Sequence, residues 1–313
     1  MKRVLLASPR GYCAGVERAV ETVKRALALY GAPVYVRKQI VHNAHVVREL
    51  EADGAVFVDS VGEVPEGAHV VFSAHGVSPA VREAADARRL ETIDATCPLV
   101  TKVHAQARRY AERGYRVVLI GHAGHEEVEG TTGEAPEAIV LVESVEEAER
   151  IELSAGRLAY ITQTTLSVDE THEIIAVLRR RFPHIEGPAR EDICYATSNR
   201  QWAVKELVGA VDVLLVVGSR NSSNSLRLVE VARAAGVASY LVDDASEIDE
   251  RWLAAAEVVG VTSGASAPER LVRGVCEWFR ARGVRDVAEY ASTFEDVVFR
   301  LPVELRRAER SAA

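Results

Sequence analysis

Aligned on Cys13, Cys97 and Cys194, the chain falls into three copies of one pattern. No other feature restricts the fold so much, because each copy of a repeat this long must be a supersecondary unit of the same kind. Each cysteine follows a short strand-like stretch, at residues 3–7, 91–95 and 191–193. Each precedes apolar residues at helical spacing: Val16, Val20, Val23 and Leu27; Val100, Val103, Ala107 and Tyr110; Ala203, Leu207 and Ala210. A second strand follows at 33–36, 115–120 and 211–217 and runs into a polar loop. In those loops His42, His125 and Ser222 stand 29, 28 and 28 residues after their cysteines. The second half of each copy repeats the alternation, with strands expected at 55–58, 139–142 and 239–242 and an acidic stretch after each. A further strand then ends in the loops FSAHGVSP, ITQTTLSV and VTSGASAP, where His75, Thr164 and Ser266 lie 62, 67 and 72 residues after their cysteines.

Strands alternating with helices predict an α/β chain of three similar units with parallel sheets. Residues 1–95, 96–190 and 191–281 are the units, and 282–313 is a C-terminal extension packing back on the body. Within the extension, 297–301 reads as a strand and the final RRAERSAA as a disordered charged end. In parallel sheets ligands sit beyond the carboxyl ends of the strands, where every polar loop named above falls. Symmetry suggests a pseudo-threefold trefoil with these ends turned inward.

Charge and cysteine usage narrow the function. The net charge of −8 argues against nucleic acid and against an anionic membrane surface. The longest strongly apolar run, Val213–Val217, is far short of the roughly 20 residues of a membrane span. The first residues break into Pro9-Arg10-Gly11 too early for a secretory signal, so a cytoplasmic protein is expected. Four cysteines without an export signal do not form a disulfide framework. No P-loop or dinucleotide fingerprint occurs.

Cys276, in the apolar helical stretch LVRGVCEWFRAR, reads as a core residue. Cys13, Cys97 and Cys194 share a strand-to-helix turn, where backbone N–H groups and the helix dipole stabilise a thiolate. Three such thiolates could hold zinc with one open position. Zinc sites usually contain a close cysteine pair, however, and the spacings here are 84 and 97. An iron–sulfur cluster with three cysteine ligands fits better and keeps one iron open to a substrate oxygen. The loops add His42-Asn43, His75, His125, Gln163-Thr164-Thr165, Ser222-Ser223-Asn224, Ser263 and Ser266, an array in which protonated histidines and hydroxyls donate, suited to a diphosphate or another multivalent oxyanion. Each of these taken alone also reads as an ordinary cap. Glu127 is the natural proton donor, with Glu126 and Glu129 as rivals. A redox sensor or cluster carrier would leave the polar array unexplained.

These motifs closely resemble the 4-hydroxy-3-methylbut-2-enyl diphosphate reductase family. The likeness runs in order through R-G-Y-C-A-G-V, I-V-H-N, S-A-H-G-V-S, D-A-T-C-P, G-H-x-E-V-E-G-T, Q-T-T-L-S-V-D, I-C-Y-A-T-S-N-R-Q, G-S-R-N-S-S-N-S and G-A-S-A-P-E, over about residues 3–300. The resemblance implies a trefoil around one [4Fe–4S] cluster held by Cys13, Cys97 and Cys194. It assigns the diphosphate to His42, His75, His125, Ser222, Ser223, Asn224 and Ser266, places Thr164 on the substrate hydroxyl and gives proton delivery to Glu127. The implied reaction is reductive dehydroxylation to isopentenyl and dimethylallyl diphosphates, the last step of the methylerythritol phosphate route, with ferredoxin or flavodoxin supplying electrons. The family often has Pro where Glu126 stands. A non-redox dehydration, as in quinolinate synthase with its threefold build, is the alternative, and the Q-T-T-L-S and G-S-R-N-S-S-N-S motifs argue against it.

Overall fold

A computed structural model describes residues 2–154 and 156–312. Its strands, in chain order, are β1 (Arg3–Ser8), β2 (Val34–Arg37), β3 (Ala55–Val58), β4 (His69–Phe72), β5 (Glu91–Asp94), β6 (Tyr115–Ile120), β7 (Ile139–Val142), β8 (Arg157–Thr162), β9 (Val213–Val217), β10 (Ala238–Val242), β11 (Val258–Ser263) and β12 (Asp286–Ala291). They form three sheets, ordered β10-β9-β11-β1-β12, β3-β2-β4-β5 and β7-β6-β8, and every strand pair is parallel. The expected α/β class with three parallel sheets is therefore the one adopted.

The chain divides into two compact units. The first comprises the segment ending at Val16, then His42–Val46 and Tyr195–Val298; the second comprises Glu17–Val41, Val47–Cys194 and the segment from Phe299. The first unit holds the five-stranded sheet, which is buried on both faces. Val4 and Leu6 of β1 join Val213, Leu215 and Val261 in one apolar cluster, while Leu5 and Ala7 join Leu214 and Val216 in another. This is the period-two alternation of a strand with two covered faces. The second unit holds the other two sheets, and β6 and β8 divide their side chains in the same way. Val118, Ile120 and Tyr160 pack on one face, and Val117, Leu119 and Ile161 on the other.

Four elements differ from expectation. Strand β1 joins the sheet of β9–β12 and not the sheet of β2–β5, with Arg3 opposite both Val258 and Asp286. Residues 191–193 form no strand. Glu186 takes the edge of β8 instead, and the Asp192 carboxylate, not its backbone, accepts the Thr162 N–H (3.2 Å). The strand of the C-terminal region is β12, whose half-exposed edge gives a weak periodic signal, and 297–301 is irregular. The charged end is a helix, Val303–Ala312, anchored by fully buried Leu305.

Candidate functional site

The three cysteines occupy one backbone environment. Cys13 N–H donates to Ala265 O (3.1 Å), Cys97 N–H to Ala74 O (3.0 Å) and Cys194 N–H to Thr164 O (3.0 Å). Each acceptor lies two residues beyond the end of a strand: β11, β4 and β8 respectively. The threefold pattern thus extends to single hydrogen bonds, and it makes His75, Thr165 and Ser266 the equivalent residues. Thr164, which the loop spacing pairs with His75 and Ser266, falls one place earlier, at the cysteine-binding carbonyl. All three cysteines are half-buried, and among the described residues no cysteine is in a disulfide. Cys276 is buried in the core packed on β11, as expected of a structural residue.

In the second unit the helix Glu126–Gly133 positions the acid–base groups. His125 is its N-cap, and His125 Nδ1 accepts the Glu127 N–H (3.1 Å). Nδ1 is then the unprotonated nitrogen, which leaves Nε2–H as the donor. Burial, with His75 adding to it, pushes the His125 pKa down to about 3, so this ring donates as a neutral imidazole. That corrects the expectation of a cationic donor at this position. The His75 ring meets it edge-on, 5.8 Å between centroids.

The two neighbouring glutamates have opposite roles. Glu127 is 2% exposed; its Oε1 accepts the Thr164 N–H (2.7 Å) and its Oε2 the Thr164 hydroxyl (2.9 Å). Burial pushes its pKa up, and the two Thr164 bonds only partly oppose this. Glu126 meets His75 Nδ1 at 3.1 Å. Burial alone would raise the Glu126 pKa, but the His75 bond and charge hold it below the ordinary carboxylate value. Of the two, Glu127 is therefore the one whose surroundings favour holding a proton, and Glu126 orients His75. Glu129 is exposed on the same helix and is not drawn into this set. Sequence reasoning missed the His75–Glu126 pair; its only signal was the replacement of a family proline by an acid.

The first unit holds the serine-rich part. Ser222 caps the helix Ser223–Ala234; its Oγ also accepts the Ser225 hydroxyl (3.0 Å) and lies 3.5 Å from Ser266 Oγ. A Cβ at Gly218 or Gly264 would overlap Ser225 Oγ, which explains the glycines of the two loops. Ser266 Oγ donates to His42 O (2.9 Å), and Asn221 approaches His42 Nδ1 (3.4 Å). Asn224 is largely committed to structure. Its Oδ1 accepts the Ala265 N–H (2.8 Å) beside the Cys13 turn, and its Nδ2 donates to Thr197 (3.2 Å), so one N–H remains for a ligand. Asn43 caps the helix Ala44–Ala52 through the His45 and Val46 N–H groups. Ser223 is nine-tenths buried, and Ser263 Oγ accepts the Gly11 N–H (2.8 Å).

Thus Cys13, His42, Ser222, Ser223, Asn224 and Ser266 lie in the first unit, and Cys97, Cys194, His75, His125, Glu127 and Thr164 in the second. A cavity of about 230 Å³ in the second unit, lined by Tyr160, Thr171, His172 and Arg179 among others, includes none of them.

Residues 4–280 match the family described as LytB protein. The chain belongs to the LytB family. Its LytB relatives include a protein of Acidothermus cellulolyticus named 4-hydroxy-3-methylbut-2-enyl diphosphate reductase, 65% identical over 308 residues, which are 98% of this chain and 91% of that one. A protein of the same name from Corynebacterium diphtheriae is 60% identical over 310 residues, 98% of this chain and 93% of the other. The solved structure of E-1-hydroxy-2-methyl-but-2-enyl-4-diphosphate reductase from Plasmodium falciparum superposes with a TM-score of 0.97 at 37% identity, covering 99% of each chain. Among the described residues no helix is long and apolar enough to cross a membrane.

Proposed function

We propose that this LytB protein catalyses the reductive dehydroxylation of (E)-4-hydroxy-3-methylbut-2-enyl diphosphate to isopentenyl and dimethylallyl diphosphates, the last step of the methylerythritol phosphate pathway. The observation that carries the reading is Thr164, whose carbonyl accepts the Cys194 N–H while its N–H and hydroxyl hold the buried Glu127. One residue thereby ties a proton-carrying acid to a thiol-bearing turn. The relatives named above are reductases, and none of them speaks for a non-redox dehydration.

The donor set fits an iron–sulfur cluster. Three thiols in matching turns, with no close cysteine pair, supply soft anionic ligands and leave a fourth position unfilled. We assign Cys13, Cys97 and Cys194 as the ligands of one [4Fe–4S] cluster. Bound there, the cluster would supply electrons one at a time and Lewis acidity at an iron without a protein ligand. Protonated Glu127 donates to Thr164 Oγ1, and the Thr164 hydroxyl turns its own proton toward the leaving oxygen, which departs as water as two electrons enter; a second proton then adds to either end of the allyl group and gives the two products. Neutral His125, through Nε2–H, and His42, His75, Ser222, Ser223, Asn224 and Ser266 donate to the diphosphate. Ferredoxin or flavodoxin is the electron donor in this reading, and a reducing cytoplasm keeps the thiols available.

Anaerobic purification tests the reading. The expected protein is brown, contains iron and sulfide, and with a chemical reductant consumes the hydroxymethylbutenyl diphosphate. Colourless, zinc-loaded protein of full activity would overturn it.

A further inference from the structure

Each helix that follows a cysteine carries a cation whose hydrogen bonds end on the turn of the next cysteine. Arg18, five residues after Cys13, donates from Nη1 to Thr96 O (3.0 Å) and from Nη2 to Asp94 O (3.2 Å), in the Cys97 turn. Lys102, five after Cys97, donates to Arg190 O (3.0 Å) and Glu191 O (2.8 Å) and pairs with Asp192 Oδ1 (3.1 Å), in the Cys194 turn. Arg200, six after Cys194, donates from Nη2 to Gly11 O (2.8 Å), in the Cys13 turn.

We propose that Arg18, Lys102 and Arg200 are a cyclic set of positioning residues, each fixing the thiolate that follows in the cycle. The inference rests on the reading of the three cysteines as joint cluster ligands. Carbonyl acceptors make the contact specific for backbone position, and a cation meets several carbonyls at once. The turns need such bracing, because the Cys13 and Cys97 turns leave β1 and β5 before their helices begin and the Cys194 turn has no strand directly before it. Gly11, at φ +74°, stands in the left-handed region two residues before Cys13.

The C-terminal segment locks two of the three. Arg200, with no exposed surface, meets Glu295 Oε1 and Oε2 at 3.0 and 3.2 Å, and Asn199 also donates to Glu295 (3.0 Å). Arg18 Nε donates to Arg300 O (2.8 Å). Within the first unit Glu295 thus bears on the Cys13 turn through Arg200, and within the second Arg300 bears on the Cys97 turn through Arg18. A buried guanidinium stripped of its carboxylate is held far less firmly, because its charge stays unpaired.

The test reads each thiol separately. Metal-free protein is treated with iodoacetamide and the alkylation rate of each cysteine is followed by peptide mass spectrometry. The expected pattern is one-to-one: Arg18→Met speeds Cys97, Lys102→Met speeds Cys194, and Arg200→Met or Glu295→Gln speeds Cys13, each by about tenfold or more. The other two thiols change by less than about twofold, and Arg200→Lys and Lys102→Arg fall between wild type and Met. In the iron-loaded protein the same variants release iron faster to a chelator. Uniform acceleration of all three thiols, or none, overturns the proposal. Lys102→Met and Glu295→Gln, the mildest changes, decide it if Arg200→Met does not fold. A one-to-one alkylation pattern in protein that binds no iron would leave the positioning set standing and sink the cluster reading instead.

Discussion

Glu126 and Glu127 are adjacent in sequence and equivalent to any composition-based argument, yet their surroundings push their proton affinities apart. Glu127 is enclosed with Thr164, and burial raises its pKa; Glu126 is held down by His75. Folded protein keeps the Glu127 proton at pH values where the unfolded chain has already released it. The native state then binds more protons than the unfolded state, so stability falls as pH rises through and above the ordinary carboxylate range. Glu127→Gln removes that cost and keeps a hydrogen bond to each Thr164 group, since its Oε1 accepts the N–H and its Nε2 donates to the hydroxyl. Metal-free E127Q should therefore melt at or above the wild-type temperature at pH 7, with the difference shrinking toward pH 4, while turnover falls by about 10²-fold or more. Glu126→Gln should keep proton delivery and raise KM by loosening His75. Parallel kinetics and thermal melts check both; an inactive E126Q beside an active E127Q would reverse the assignment of the acid.

At the scale of elements, the serine-rich loops work because glycine lets two of them approach Ser225. Gly218 precedes the helix Ser223–Ala234 and Gly264 follows β11, and both leave room for the Ser225 hydroxyl that sets Ser222. Gly264→Ala should force this contact apart, lowering stability by about 1–3 kcal/mol, as overpacking typically does. Adding Ser225→Ala to it removes the clashing oxygen and should recover most of the loss. Thermal unfolding of the two variants and the double variant measures the coupling, and simple additivity would refute the account. The sequence announced this loop as polar through N-S-S-N-S, but capping explained that run equally well, and the structure shows the capping directly. Ser222 is a cap, whereas Asn224 is mostly a brace for the Ala265 N–H and Thr197. Which role a small polar side chain takes depends on partners far away in sequence, so loop composition alone could not divide them.

Across the whole chain, the repeat was readable and its phase was not. Cysteine spacing and apolar periodicity marked most strands and helices because both are local signals. The sheet that accepts β1 is decided by pairing over more than 250 residues, which no local pattern records: Val4 stands opposite Val259 on one side and Val287 on the other. The same limit hid the tail. The final residues from Arg306 look like a charged end until they are seen to continue a helix that fully buried Leu305 anchors, and residues 191–193 look like a strand until Asp192 gives its side chain to Thr162. The position of β1 has a measurable consequence. A first strand normally frays with the chain terminus, but this one is flanked on both sides, and Val4 and Ala7 have no exposed surface. Its amides should open only with the sheet as a whole. In native-state hydrogen exchange, residues 4–8 should be protected as strongly as 259–263 and more strongly than 55–58, the edge strand whose Val56 is 40% exposed. Exchange of residues 4–8 on the timescale of the C-terminal residues would mean that β1 is an edge addition and not part of the sheet's cooperative core. The Cys13 turn, which hangs from the end of β1, would then lose its rigid support.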